Sequence, residues 1–551
     1  MRLHGNPIDL ASQVWTGSRD GYTVEPHPQA DPTLSPSTVR ATPLYHRVSS
    51  IISLALLLAA CGGDGPSAPV TGEPGVHVVA GASVTDTVDA PLVQALVVEV
   101  RRQDGTLATG VTVRFEPQPT LGDAIYVCTF TEVCGPFVAG ITTDDTDSRG
   151  RAKTIVKMGH IAGPAVVRVV VPELGLVDSA AFMVLPGAPA HVRPQVADTT
   201  LDIGATTTLR GRVVDRYNNT RVEVPTNTVG PGSAVTLDAA TGIITAQAMG
   251  TQYVLTHYNS FVDSTNVRVA PAGRLVVWSA IARAVRLVSL DGSGARTIVS
   301  TIGSSFGVFP RFDPTRQRIT LHTAAPSGDG SANHVIVVDT TGSPRRDIGL
   351  PTELDGIGAT RQLADGTVLV IARRDADPSH PGYHLWSVRT DNTITLVADM
   401  IRFDGAYAGA DISHDGTRIA YISDEFAAPQ LRVLNVATGA DAVLDSPARS
   451  PRWSLQDDRI AYLLPTPVYF GDIDGVVFVI NSDGTGRRPL GNDIFSPGLA
   501  WSPDGNYLIG RSSVSPSGVL RVVRISDGAN VTLRFPGAQG GLDDYYQPDW
   551  R

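Results

Sequence analysis

The sequence predicts an all-β chain in which two β-sandwiches are followed by a six-bladed β-propeller closed by the C-terminal strand. Three observations carry that expectation. Residues 75 to 271 are short Val/Thr/Ala-rich runs that alternate with polar positions and are punctuated by Gly, Asp and Asn. Residues 272 to 551 repeat around anchors at Phe312, Gln362, Ile412, Trp453, Trp501 and Trp550, spaced by 50, 50, 41, 48 and 49 residues. A period of that size holds one four-stranded blade. The last repeat stops at Arg551, one residue after its aromatic anchor.

Composition sets the bounds. The chain has 551 residues, 42% of them hydrophobic and 18% charged, enough apolar material for several cores. Its net charge is −10 and it has no basic run. Phosphate binding needs a concentrated Lys/Arg face, so nucleic acid is excluded as a partner, and nonspecific adsorption to membranes with it.

The elements follow in chain order. Residues 1–50, rich in Pro, Ser and Asp, have no hydrophobic period and read as a disordered extension from a misassigned start. Translation from Val39 would leave "VRATPLYHRVSS" as an ordinary leader ahead of the apolar run "IISLALLLAA". Residues 51–61 form that apolar run and the motif Leu58-Ala59-Ala60-Cys61, too short to span a bilayer. The motif resembles the lipobox of bacterial lipoproteins, which implies lipidation of Cys61, cleavage before it and residence at the cell envelope. Several acyl chains, at about 0.8 kcal/mol per buried CH₂, would anchor the protein stably. The alternative is a buried Cys on an apolar helix, but residues 62–74, "GGDGPSAPVTGEP", form a tether that cannot pack.

Residues 75–188 make the first sandwich. Here "VEVRRQDGTLATGVTVRF" pairs a turn at Asp104-Gly105 with a strand from Val111 to Phe115. Cys128 and Cys134 are expected to form a local disulfide, which would contribute about 2 kcal/mol by closing a short loop. Zinc is disfavoured because two thiolates with no nearby His leave the shell incomplete. The turn at Asp147, Gly150 and Ala152 resembles the D-x-x-G-x-A turn of invasin-type bacterial Ig-like domains. Residues 189–271 make the second sandwich, where "TLDAATGIITAQAMGTQYVLTH", with Gly242 and Gly250 assigned to turns, is similar to the closing strands of another bacterial Ig-like family. The resemblance implies spacer or adhesive modules.

Residues 272–551 carry the repeat. "LAWSPDGNYLIG" and "ADISHDGTRIAY" show it best, and the blades anchored at Phe312 and Gln362 are degenerate. The motif resembles the TolB-type repeat, W-S-P-D-G followed by an apolar strand, whose propellers have six blades. "AGRLVVWSA" aligns with the second strand of a blade and lacks a first, while the chain ends on a first strand with no successor. Joining the two closes the ring and removes its exposed edges.

Chemistry is harder to place. The acidic loop Asp144-Asp145-Thr146-Asp147 fails as an EF-hand because Arg149 stands where a further Asp or Asn is needed. "GSSFG" at 303–307 matches G-x-S-x-G but lacks the strand-turn-helix setting of a nucleophile elbow. Asp375, Asp377, His380 and His384 share one loop, but Pro381-Gly382 rules out a helical i, i+4 metal face. Just before the anchors stand Arg311, Arg361, Asp411, Arg452, Ala500 and Asp549. Strand alternation points these toward the channel or the next blade, and no site is assigned to them. No catalytic, metal or cofactor residues are assigned.

The resulting expectation is a non-enzymatic, membrane-anchored binding protein with a propeller head on a stalk. The TolB resemblance implies protein or peptide partners at the cell envelope. The alternatives are a propeller lyase or hydrolase working at the central channel, and a carbohydrate or surface adhesin acting through the sandwiches.

Overall fold

Alternating strands bury one face, and the first sandwich follows from that rule. Arg151–Met158 buries every second side chain, as does the second half of Leu176–Leu185. The computed structural model describes residues 72–551 except 119–122, 130–139, 197, 280–281, 301–308, 324–332, 375–381, 401–408, 424–427, 467–473, 514–518 and 536–544. Cys61, Cys134, the 303–307 pentapeptide and Asp375, Asp377 and His380 lie outside the described residues. The described part is all β apart from one short 3-10 turn, Pro172–Leu174.

One sheet of the first sandwich orders Gly75–Ala80, Leu96–Arg101, Arg151–Met158 and Ile125–Cys128. The other orders Thr85–Thr87, Leu176–Leu185, Gly163–Val171, Thr112–Gln118 and Thr142–Asp145. Their inner faces share one core that includes Leu96, Val98, Phe115, Val156 and Phe182. The D-x-x-G-x-A turn has a clear physical basis. Asp147 Oδ1 accepts the N–H groups of Arg149 and Arg151, Gly150 takes φ +64°, and Ala152 enters the core.

The second sandwich has a four-stranded sheet of Asp198–Asp202, Phe261–Ala270, Gly250–Tyr258 and Thr226–Val229. Facing it are the sheets Thr206–Thr208, Ile243–Ala246, Val235–Asp238 and His191–Pro194, Gly211–Val214. Gly242 lies in a turn at φ +72°, as expected, whereas Gly250 opens a strand.

Polar contacts tie the two sandwiches together. Asp89 of the first pairs with Lys157 at 2.8 Å and accepts from Tyr217 Oη at 2.6 Å and from Arg216, both of the second. Tyr217 stacks on His160 with ring centroids 4.0 Å apart, and Asn219 Nδ2 donates to His160 O at 2.7 Å. The side chain of Asp215, fully buried, accepts from the backbone of Gly187 in the connecting segment.

Six four-stranded antiparallel sheets follow. Blade 1 orders Arg296–Ser300, Ala284–Ser289, Arg274–Ser279 and the C-terminal strand Tyr545–Trp550. Blades 2 to 6 are contiguous in sequence, and their first strands are Arg311–Phe312, Leu354–Gln362, Ala410–Ile412, Arg449–Trp453 and Ala500–Trp501. Second and third strands such as Arg418–Ser423 are buried on both faces because each blade packs between two others. Six hydrophobic clusters, one between each pair of neighbouring blades, complete the circuit.

Closure is made by the two ends of the propeller segment. Arg274 N–H donates to Arg551 O at 3.0 Å and Arg551 N–H returns to Arg274 O at 2.8 Å. Trp550 is fully buried in the cluster between blades 6 and 1, which also holds Leu275, Leu520 and Leu533. A Cβ on Gly273 would stand 2.1 Å from Trp550 Nε1, so this position tolerates only glycine without movement. Met249 and Ala270 of the second sandwich join the same cluster, and Arg534 of blade 6 reaches Asp198 at 3.8 Å.

Two of the Asp-Gly turns, in blades 4 and 6, work by a shared device. Ser413 Oγ donates to Asp415 Oδ1 at 2.6 Å and accepts Arg418 N–H, and Ser502 with Asp504 repeats this in blade 6. Burial raises the Asp415 pKa, but the hydrogen bonds from Ser413 and Thr417 outweigh it and bring it to about 2. In degenerate blade 2, Arg316 takes at φ +59° the left-handed position that Gly366, Gly416 and Gly505 hold in blades 3, 4 and 6.

Candidate functional site

The first strands of the six blades touch in a closed circle, each contacting the next. Their anchors, Phe312, Gln362, Ile412, Trp453, Trp501 and Trp550, are all buried between blades. A strand alternates its faces, so the residue before each anchor turns the other way, toward the axis. Those residues are Arg311, Arg361, Asp411, Arg452, Ala500 and Asp549, each less than 10% exposed.

Their contacts run between blades. Asp549 Oδ2 accepts Phe312 N–H of blade 2 at 2.7 Å, and Asp549 Oδ1 lies 3.5 Å from Arg311 Nη1. Asp411 Oδ2 accepts Trp453 N–H of blade 5 at 2.9 Å, and its Oδ1 lies 3.3 Å from Arg361 Nη2 of blade 3. Arg452 spans three blades: Nε donates to Leu499 O of blade 6 at 3.1 Å, and Nη1 is 3.5 Å from Ala410 O of blade 4 and 3.2 Å from Pro451 O. Trp501 Nε1 donates to Arg452 O at 3.0 Å.

Burial and charge act together on these groups. Burial raises the Asp411 pKa, but Arg361, Arg311 and Arg452 outweigh it and leave the carboxyl below its ordinary value. Burial brings Arg452 down to about 9, and Arg311 adds to the fall while Asp411 and Asp549 oppose it. Three arginines therefore share two aspartates, and Arg452 is the one with no carboxylate partner among the described residues.

The donors that remain are informative. Arg452 Nη2, Arg361 Nη1, and Arg311 Nε and Nη2 have no acceptor among the described residues, and none of these atoms is sealed from solvent. Arg361 Nε is sealed and unpartnered. Near the axis, His322 of blade 2 is buried against Phe309, with centroids 5.1 Å apart, and its Nδ1 is also unpartnered. Burial, followed by the charge of Arg311, pushes the His322 pKa down to about 3.

Other sequence candidates go elsewhere. Asp144 accepts Lys153 N–H and Asp145 accepts from Thr112 Oγ1, so with Asp147 the acidic loop spends its carboxylates on strand and turn contacts. His384 is buried and pairs across strands with Asp399 at 2.9 Å. Among the described residues, no three His, Cys, Asp or Glu side chains converge on one point. The axial residues were visible in the repeat. Their inequality was not, because it depends on which carbonyls and carboxylates neighbouring blades present.

The molecule is thus a six-bladed β-propeller preceded by two β-sandwiches. No family model and no curated protein sequence matches the chain. Among solved structures it is similar to TolB from Acinetobacter baumannii, with 12% identity and a TM-score of 0.41, covering 65% of this chain and 99% of that one. It is also similar to the nidogen/laminin complex at 10% identity, TM-score 0.38, covering 50% and 98%. An oligogalacturonate lyase in complex with manganese gives 14% identity, TM-score 0.33, covering 60% and 85%. At these scores none of them bears on activity or partner.

Proposed function

We propose that this is a cell-envelope binding protein, lipid-anchored through Cys61, whose propeller engages a protein or peptide partner without catalysis. The observation that carries the reading is the axial set of Arg311, Arg361, Arg452, Asp411 and Asp549. Arginine stays protonated and cannot serve as a general base near neutral pH, and each oxygen of the two carboxylates already takes a donor. Such groups suit recognition better than proton transfer. The resemblance of the repeat to the TolB type points the same way, and the sandwiches serve as a stalk in this reading, the first stapled by a Cys128–Cys134 bridge.

The test is affinity capture from detergent-solubilised envelopes with the mature chain as bait, alongside metabolic labelling with a fatty acid. The expected result is a defined protein partner and label that is lost in Cys61→Ser. Turnover of a small substrate without partner recovery would favour the enzyme alternative.

A further inference from the structure

The axial arginines are built like half of a binding site. A guanidinium carries five N–H donors in a planar fork whose geometry matches a carboxylate. In Arg452 the fork is fixed: backbone carbonyls from blades 4, 5 and 6 hold Nε and Nη1, and Nη2 is left over. The remaining donors of Arg311 and Arg361 belong to the same ring, and both arginines act electrostatically on Arg452. Asp411 and Asp549 each give both oxygens to other donors, and neither forms an ion pair with Arg452. Among the described residues the ring has one more positive than negative side chain, and it is buried, where an uncompensated charge is costly. An anion with two oxygens would relieve that cost and satisfy the leftover donors together.

We propose that the propeller axis receives a single carboxylate group, held by Arg452 with the free donors of Arg311 and Arg361. This rests on the binding reading above and specifies what the partner presents. A peptide chain terminus and a free small acid both carry the required chemistry. Tri-alanine with a free terminus, tri-alanine amide and succinate separate the two sources when titrated into the full mature chain at matched ionic strength against sodium chloride, with binding followed by calorimetry and thermal unfolding.

Tri-alanine acid is expected to bind and raise the unfolding midpoint, and the amide to do neither. Succinate binding as well as the tripeptide acid assigns the site to free acids, and weaker binding assigns it to a chain terminus. Arg452→Gln is expected to lose at least tenfold in affinity, and Arg452→Lys, which keeps the charge but not the fork, to fall between. Should the glutamine variant fail to fold, the lysine variant and the acid-amide contrast in the unaltered protein still decide. Equal behaviour of acid, amide and chloride overturns the proposal. A captured partner whose binding ignores both Arg452→Gln and added carboxylate overturns this site and leaves the binding reading standing. Absence of any partner from the unaltered protein counts against that reading instead.

Discussion

At the joint between the sandwiches one carboxylate, Asp89, is shared by Lys157 and Arg216, whereas at the propeller axis two carboxylates pair with Arg311 and Arg361 and a third guanidinium, Arg452, has none among the described residues. The joint is partly open to water, with the Asp89 side chain 25% exposed, and its cations extend from the surface. Excess positive charge there is screened and does little harm. The axial residues are each less than 10% exposed, and burial, with the charge of Arg311 adding to it, brings Arg452 to a pKa of about 9. The contrast shows how burial decides whether surplus charge is inert decoration or an unsatisfied demand.

Breaking the closure of the ring should have the largest effect. Trp550→Ala removes the fully buried anchor of the closing strand and is expected to destabilise the propeller by about 3–5 kcal/mol. Denaturant unfolding checks it, and an unchanged midpoint would show that closure does not hold the ring. Asp411→Asn comes next. It strands Arg361 and adds to the surplus on Arg452, and losing one partner of a buried pair costs about 3–5 kcal/mol. The double variant with Arg361→Gln should recover part of that loss, a coupling absent if the pair is merely adjacent.

Acid separates the two regions by pH window. His322 has a folded-state pKa near 3, below the ordinary 6.5 of the unfolded chain. The unfolded state therefore takes up its proton first, and stability present above pH 6.5 falls by roughly 1.4 kcal/mol per pH unit as pH drops toward 3. His322→Gln should flatten this slope in unfolding measured between pH 7 and 4. Asp89 is the smaller case. Its pKa is lowered to about 2 by Lys157 and Tyr217, so its stabilisation is complete above the unfolded value near 3.8 and is lost as pH falls toward 2. Asp89→Asn should cost about 1 kcal/mol at neutral pH, after allowance for solvent screening. A loss of several kcal/mol would place the joint in the same regime as the axis.

Much of the fold was legible because it is written in local rules. Strand alternation located the sandwiches, and the spacing from Phe312 to Trp550 gave the blade count. The missing first strand before Arg274 implied that Tyr545–Trp550 would supply it, as the pairing of those strands shows. The site was only half legible. Arg311, Arg361, Asp411, Arg452 and Asp549 could be read off as neighbours of the anchors, but nothing local distinguishes Arg452 from Arg361. Their difference lies in Asp411, one blade away from each, which gives its oxygens to Arg361 and to the backbone of Trp453. The joint was not legible at all, because Asp89 and Tyr217 are more than 120 residues apart and neither belongs to a repeat.

By itself the sequence determined which segments are strands, where they turn and how many blades they make, since each depends on side chains within a few residues of one another. Only the tertiary structure decided which charges meet at the axis and which of them has no carboxylate partner among the described residues. That outcome depends on the distance between groups brought together by ring closure and on the water excluded when the blades pack, and neither quantity exists until the last strand is in place.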